Sequence, residues 1–436
     1  MSENGSSNGS ATSVDLDEKV VIVSCDTHIG PRLREDLRPY CPQSYLDEYD
    51  RFLNHIDSLE GMVGGSREAL NATDGHWDPS ARLADLDQDG TSAEVLFHGS
   101  QNGEPIPFII SDPSVGMATM ERRYDVDFEL AGVGRHIYNE WLADFCSVQP
   151  QRHVGLAHLP MWDIDAAVKE ATWAREHGLR AVNFPCESGP DENNRSRWAG
   201  QHFYNDPAWD PLWAACQDLG MTLCTHGGAG DPQMELPGGA PCWMIEAQDK
   251  GKWPMHRMIF GGVFERFPDL KLVLTEYPGQ WYKIRLDDMD STMGYSMVFG
   301  DTNTRKPSDV ARTNVFLGAS FMSRFEAMDA IDNDWWQNVI WGTDYPHVEG
   351  TWIRPGEGEV PQSQLSLRYA YHDLDPEKVK AMLGLNGVAA YGLDGEFLHK
   401  LAQTINAPTL RDAITPIDEV PAAHGMWAFR EFGAFA

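Results

Sequence analysis

The run Val20-Val21-Ile22-Val23-Ser24-Cys25, closed by Asp26-Thr27-His28, decides the reading of the fold. It is short, almost continuously apolar and rich in β-branched residues, which suits a parallel strand covered on both faces. Similar runs recur at residues 93–98, 154–159, 180–184, 221–225, 270–275, 314–319 and 338–342. Between most of them lie stretches with helical spacing, at 138–146, 163–177, 211–219, 255–267 and 282–293. Strand and helix in alternation imply parallel pairing, because parallel neighbours need a crossover, usually helical. Eight such strands close into a (β/α)8 barrel. The rival is a doubly wound open sheet, but no Gly-rich dinucleotide loop follows the first strand, where that fold usually places one.

Three regions do not fit the minimal repeat. Residues 29–90 and 99–135, with many acids, Gly and Pro, read as long insertions after the first and second strands. Loops after barrel strands lie on the catalytic face, so these are candidate walls of a substrate pocket or an oligomer contact. Residues 401–436 carry Trp427, Phe429, Phe432 and Phe435, which are costly to expose together. This C-terminal extension is expected to pack on its own barrel or on a neighbouring subunit. Residues 1–18 hold little that could repay the entropy of ordering them and read as a flexible tail. A single domain over 19–400 is left.

Composition narrows the partners. Against 34 Lys+Arg stand 66 Asp+Glu, a formal net charge of −32. Nucleic acid and anionic membrane surfaces are held by clustered positive charge, so neither is expected as a partner. Hydrophobic residues make up 42%, enough for a large core. No stretch approaches the ~20 apolar residues that cross a bilayer, and the first 18 residues lack an apolar signal core, so a cytoplasmic protein is expected. Seven cysteines, odd in number and without a CxxC pair, indicate neither a disulfide framework nor a cysteine-ligated zinc site.

Asp26 and His28 are two apart at the end of an extended segment, so both can point to the same side and form half of a metal site. Taken alone, Asp-x-His reads better as a carboxylate orienting a structural histidine. His226 follows the run 221–225 and precedes Gly227-Gly228, where the backbone can turn sharply. Asp344 follows the last run. Groups at several strand ends can converge above a barrel. Nitrogen and carboxylate donors together suit Zn²⁺ first, with Mn²⁺ or Fe²⁺ as alternatives.

With these residues the sequence resembles the amidohydrolase superfamily, in the amidohydrolase-related branch that includes aminocarboxymuconate semialdehyde decarboxylase. The resemblance is carried by Cys25-Asp26-Thr27-His28, Trp77-Asp78-Pro79-Ser80-Ala81-Arg82-Leu83-Ala84-Asp85-Leu86-Asp87 and Thr225-His226-Gly227-Gly228. It continues through Phe264-Glu265-Arg266-Phe267-Pro268-Asp269-Leu270-Lys271-Leu272, Trp341-Gly342-Thr343-Asp344-Tyr345-Pro346-His347 and Leu383-Gly384-Leu385-Asn386. It implies a distorted TIM barrel with Asp26, His28, His226 and Asp344 as metal ligands and Asp344 also able to carry a proton. The fourth run, Arg180-Ala181-Val182-Asn183-Phe184, lacks the lysine that two-metal members carry there, so one ion is expected. The sixth ends Thr275-Glu276-Tyr277, where many relatives have histidine. Glu276 is a candidate fifth ligand, general base or partner of His226, or a glutamate bound to backbone amides or Arg285.

Charge counting bears on the reaction. A divalent ion with Asp26 and Asp344 ionised is locally neutral, and an ionised Glu276 makes the site net negative. That disfavours a carboxylate substrate and favours activation of water, with Asp344 or Glu276 as base beside His226. A Glu276 protonated by burial among acids would remove the objection. The first expectation is therefore a single-metal hydrolase of a small aromatic or cyclic molecule. A non-oxidative decarboxylase is the alternative, and a catalytically silent scaffold barrel the third reading. Candidate substrate contacts are His158, His347, Arg32, Asn183 and Trp281, and homo-oligomerisation, as a dimer, is expected.

Overall fold

In a computed structural model, the structure describes residues 14–59, 73–109, 127–186, 188, 202–227, 236–277, 279–298 and 303–431. Eight strands run parallel in chain order: β1 (Val23–Ile29), β2 (Ala93–His98), β3 (His153–His158), β4 (Ala181–Asn183), β5 (Thr222–His226), β6 (Leu272–Thr275), β7 (Val315–Ser320) and β8 (Val339–Gly342). The ring closes where β8 returns to β1, through Asp344 N–H to the Asp26 carbonyl (2.9 Å) and His28 N–H to the Tyr345 carbonyl (2.6 Å). This is the (β/α)8 barrel of the sequence reading.

Side chains alternate across each strand, and the two faces are filled differently. Val23, Cys25, Val95, Leu156, Cys224 and Ile340 pack together inside the ring, and Tyr391 and Leu398 join them from the C-terminal helices. The opposite faces, with Leu96, Ala157, Leu223 and Leu274, pack against the surrounding helices.

Two boundaries differ from the hydropathy pattern. The apolar run stops at Cys25, but β1 continues to Ile29, because Thr27, His28 and Ile29 still pair with Leu96, Phe97 and His98. The helix expected at 138–146 spans Phe128–Ser147, capped by Asp127, whose side chain accepts from the Glu129 and Leu130 amides. Its Gly134 is no breaker: the Pro107 carbonyl lies where a side chain would stand. The helix therefore begins inside the stretch read as the second insertion.

Within the first insertion lie the helices Leu46–Leu59 and Pro79–Asp89. The second of these is the crossover to β2. Asp78 caps it, Pro79 starts it, and Gly90 ends it in the left-handed region at φ 91°. The loops after β1, β2 and β8 knit together, with Asn102 Nδ2 donating to the Gly30 carbonyl (2.6 Å) and Gln101 Nε2 to Glu349 (2.7 Å).

Residues 1–13 of the expected tail lie outside the described residues. The part from 14 to 18 is tied down by Arg411 on Asp17 (2.8 Å) and Lys380 on Glu18 (2.5 Å), so the tail boundary at 18 is too late. The end of the chain packs on the barrel's own surface, with Trp427 against Phe321 and Phe429 against Tyr369. Phe432 and Phe435 lie outside the described residues. Among the described residues no helix is long and apolar enough to cross a membrane.

Candidate functional site

The site is made by a fault in β1. Cys25 lies in the barrel interior, and the register then slips between Ser24 and Thr27, a β-bulge. A bulge reverses which residues face inward. Thr27 accordingly turns outward and donates to Glu94 (2.9 Å), while Asp26 and His28 reach into the ring. His226 arrives two residues after the interior Cys224 on β5, and Asp344 two residues after Gly342 on β8.

Four residues from three strand ends thus meet. Asp26 Oδ1 lies 3.2 Å from both His28 Nε2 and His226 Nε2, and His28 Nε2 lies 3.2 Å from Asp344 Oδ1. His28 Nε2 is buried and in hydrogen-bonding alignment with no partner among the described residues, as are both oxygens of Asp344. Other groups aim these atoms. His28 Nδ1 is 3.3 Å from the His98 carbonyl and His226 Nδ1 is 2.9 Å from the Gly227 carbonyl, contacts that turn each ring with its Nε2 toward the centre. Ser320, at the end of β7, donates to Asp26 Oδ2.

The donors fall into two triads that share His28. Asp26, His28 and His226 bring ligand atoms within 4.8 Å of one another, and so do His28, Asp344 and His347. His347, expected as a substrate contact, thereby joins the donor cluster. Its Nδ1 is 2.8 Å from Asp344, its Nε2 is 2.8 Å from the Gly99 carbonyl, and its ring stacks on His28 at 3.9 Å.

Burial would raise Asp26, but His226 and His28 hold it well below the usual carboxylate range. Burial is likewise overcome at Asp344, which His347 and His28 hold low. Glu276 follows β6 and lies 3.6 Å from His226 Nδ1. Burial, with the Asp344 and Asp26 carboxylates, pushes it up to about 8 against the pull of His226. Gly227 makes room for it, since a Cβ there would stand 3.0 Å from that of Glu276. Gly228 lies outside the described residues.

The other expected contacts divide. His158 ends β3, buried, with rings of Tyr138 and His98 at 5.2 and 6.3 Å and both ring nitrogens without a hydrogen-bond partner among the described residues. Burial, Arg135 and His98 push it well below the ordinary imidazole range, so it is neutral. Asn183 is buried at the end of β4, two residues after the interior Ala181. Arg32 is instead spent on Asp36, at 2.8 and 2.9 Å, and lies 4.7 Å over Trp77. Trp281 donates to the Tyr277 carbonyl (3.2 Å) under the Lys252 ammonium and starts a helix. Neither forms a carboxylate clamp or pocket wall in these contacts. Sequence reasoning missed Ser320 and Phe97, whose ring lies 4.7 Å from that of His226. Both stand at strand ends, a signal that was available.

The chain belongs to the amidohydrolase family, which matches residues 74–393. It is 26% identical over 211 residues to a 2-amino-3-carboxymuconate-6-semialdehyde decarboxylase of Dictyostelium discoideum, a match covering 47% of this chain and 49% of that protein. It is also 26% identical over 224 residues to a gamma-resorcylate decarboxylase of a Polaromonas species, covering 48% and 64%. The chain thus spans between about half and just under two thirds of these curated relatives. A solved 5-carboxyvanillate decarboxylase of Novosphingobium aromaticivorans, complexed with manganese and 4-hydroxy-3-methoxy-5-nitrobenzoic acid, shares the fold at a TM-score of 0.57 and 15% identity, covering 87% of this chain and all of that one.

Proposed function

We propose that the chain is a metal-dependent, non-oxidative decarboxylase of a small aromatic or unsaturated carboxylic acid. This reverses the order reached from the sequence, where hydrolysis stood first. The observation that carries the reading is that the two curated relatives described above are named as decarboxylases. The charge of the site supports it. The earlier objection to a carboxylate substrate was an ionised Glu276, and burial beside the Asp344 and Asp26 carboxylates pushes this carboxyl up, toward the form that carries its proton.

The donor set fits one divalent ion, because buried imidazole and carboxylate atoms, among them His28 Nε2 and both Asp344 oxygens without a hydrogen bond among the described residues, are turned toward a common centre. Asp26, His28, His226 and Asp344 would hold it. Two imidazoles and two carboxylates suit Zn²⁺ and also Mn²⁺, the ion of the Novosphingobium structure. Such an ion would supply Lewis-acid chemistry toward substrate oxygens. Glu276 holds on its carboxyl oxygen the proton that the substrate carbon takes when CO₂ departs with the loss of that bond. Asp344, kept ionised by His347 and His28, serves as ligand and charge partner, not as proton donor. Asn183 and the neutral His158 stand at neighbouring strand ends as contacts for uncharged polar groups of the substrate.

The test is a panel of hydroxylated aromatic acids incubated with protein loaded with Mn²⁺ or Zn²⁺. CO₂ released in step with acid consumed is the expected result. Incorporation of ¹⁸O from water into product without CO₂ would restore the hydrolase reading, and turnover of nothing with no ion bound would leave the scaffold.

A further inference from the structure

The segment Trp77–Asp87 that carried part of the family resemblance has no place in the chemistry above. Its helix, Pro79–Asp89, places Arg82 and Asp85 one turn apart on a single buried face. Arg82 is fully buried and engaged on every side. Its Nε and Nη2 hold Glu94 at 3.0 and 2.7 Å, and its Nη1 donates to the backbone carbonyl of His28 at 2.6 Å. Glu94 in turn accepts from Thr27, between the two β1 donors. The same guanidinium lies 4.2 Å from the ring centre of Tyr345, the residue after Asp344, and the Tyr345 hydroxyl donates to Asp85 at 2.8 Å.

These contacts fall on the seam of the barrel with the shortest ladder among the described residues. Every other neighbouring pair of strands shares a ladder of at least three residue pairs, whereas β1 and β8 share only the isolated bridge Thr27 to Tyr345 among the described residues. The two halves of the donor cluster stand on either side of that bridge. A slip there would part Asp26 and His28 from Asp344, and few backbone hydrogen bonds oppose it.

We infer that Arg82 and Asp85 are positioning residues, a bracket that holds the β1 and β8 halves of the ion site in register. Arg82 grips the β1 backbone and the face of Tyr345, and Asp85 fixes the far end of the same ring. The inference rests on the reading of that cluster as an ion site.

The experiment measures Mn²⁺ affinity of the full chain by chelator competition, with unfolding followed separately. Arg82→Met, paired with Glu94→Gln so that no carboxylate is stranded, is expected to bind Mn²⁺ about ten- to a hundredfold more weakly, the usual effect of losing an outer-shell partner. Arg82→Lys should fall in between. Arg152→Met is the control: Arg152 is equally buried and holds Asp87 and the Thr91 and Ser92 carbonyls, but just before the start of β3, at the other end of the barrel. It should lose stability and keep its affinity. Tyr345→Phe, which keeps the ring and drops the bond to Asp85, should weaken binding several-fold and decides the matter if the Arg82 variants do not fold. Unchanged affinity in the folded Arg82 and Tyr345 variants, or an equal loss in Arg152→Met, overturns the bracket alone. An unsubstituted protein that binds no Mn²⁺ overturns the ion site and the bracket with it.

Discussion

Glu276 and Asp344 both carry left-handed backbone, at φ 62° and 57°, which non-glycine residues rarely adopt. Each is held there by a backbone bond to the next strand, Glu276 to Gly318 at 3.0 Å and Asp344 to Asp26 at 2.9 Å. Such conformations cost about 1–3 kcal/mol each and persist where the surroundings over-determine them. Here they turn two carboxyl groups over the same opening. If Glu276 is the proton donor, Glu276→Gln lowers turnover at least about tenfold, or about 1.4 kcal/mol of transition-state stabilisation, with metal content near that of the parent. The sign of its pH dependence follows from a raised carboxyl. The proton-holding form prevails below about 8, so kcat/KM should fall as pH rises through that value. A rate profile flat from about pH 6 to pH 10, or full turnover in the Gln variant, would remove Glu276 from this role.

Among the elements, β1 and β8 set the tolerance of the site. The bulge in β1 brings Asp26 and His28 inward together, and the neighbouring strand must leave space for the displaced backbone. Gly342 on β8 does so: a Cβ there would stand 3.0 Å from Asp26 Cβ and 3.1 Å from Cys25 Sγ. Neither neighbour can give way easily, since Asp26 is bound to Ser320 and Cys25 Sγ donates to the Ile340 carbonyl. Gly342→Ala should therefore cost about 1–3 kcal/mol of stability by overpacking. It should also reduce bound metal, because the added methyl pushes on a proposed ligand. Urea unfolding with metal analysis checks both, and a variant with parental values would mean that the seam has slack.

Across the whole molecule, the C-terminal segment past the family match closes over the loops that carry the site. Trp427 N–H donates to the Glu349 carbonyl (2.9 Å), Arg430 Nε to the Phe321 carbonyl (3.1 Å), and Arg430 Nη2 to Glu326 (2.8 Å). Phe321 directly follows Ser320, the partner of Asp26. Trp427 and Arg430 are thereby fastened to the barrel's own loops. Arg430 and Glu326 are 1% and 2% exposed, so Arg430→Met strands a buried carboxylate and should cost about 3–5 kcal/mol. Arg430→Met with Glu326→Gln should recover much of that loss in denaturant unfolding. Equal stability of the single and double variants would mean that the ion pair is not what holds the segment.

The sequence by itself determined the eight strands, their parallel order, and the strand ends that carry Asp26, His28, His226, Glu276 and Asp344. Apolar runs are local, and a barrel turns each run's C-terminal end toward one opening, so the order of the runs placed the candidate residues. Only the tertiary structure decided the rest. The continuation of β1 and its bulge depend on pairing with β2 and β8, the latter more than three hundred residues away, and no hydropathy pattern carries that information. Arg32 looked available until Asp36 and Trp77 were seen to occupy it, and Arg82 was only one residue of a family-like segment until its partners on β1, on β2 and just past β8 came together. The surroundings of Glu276 are the sharpest case, because the burial and the fields of Asp26 and Asp344 that push its carboxyl up exist only once the chain is folded. On the proposed reading, a protonated Glu276 is what lets the site accept a carboxylate.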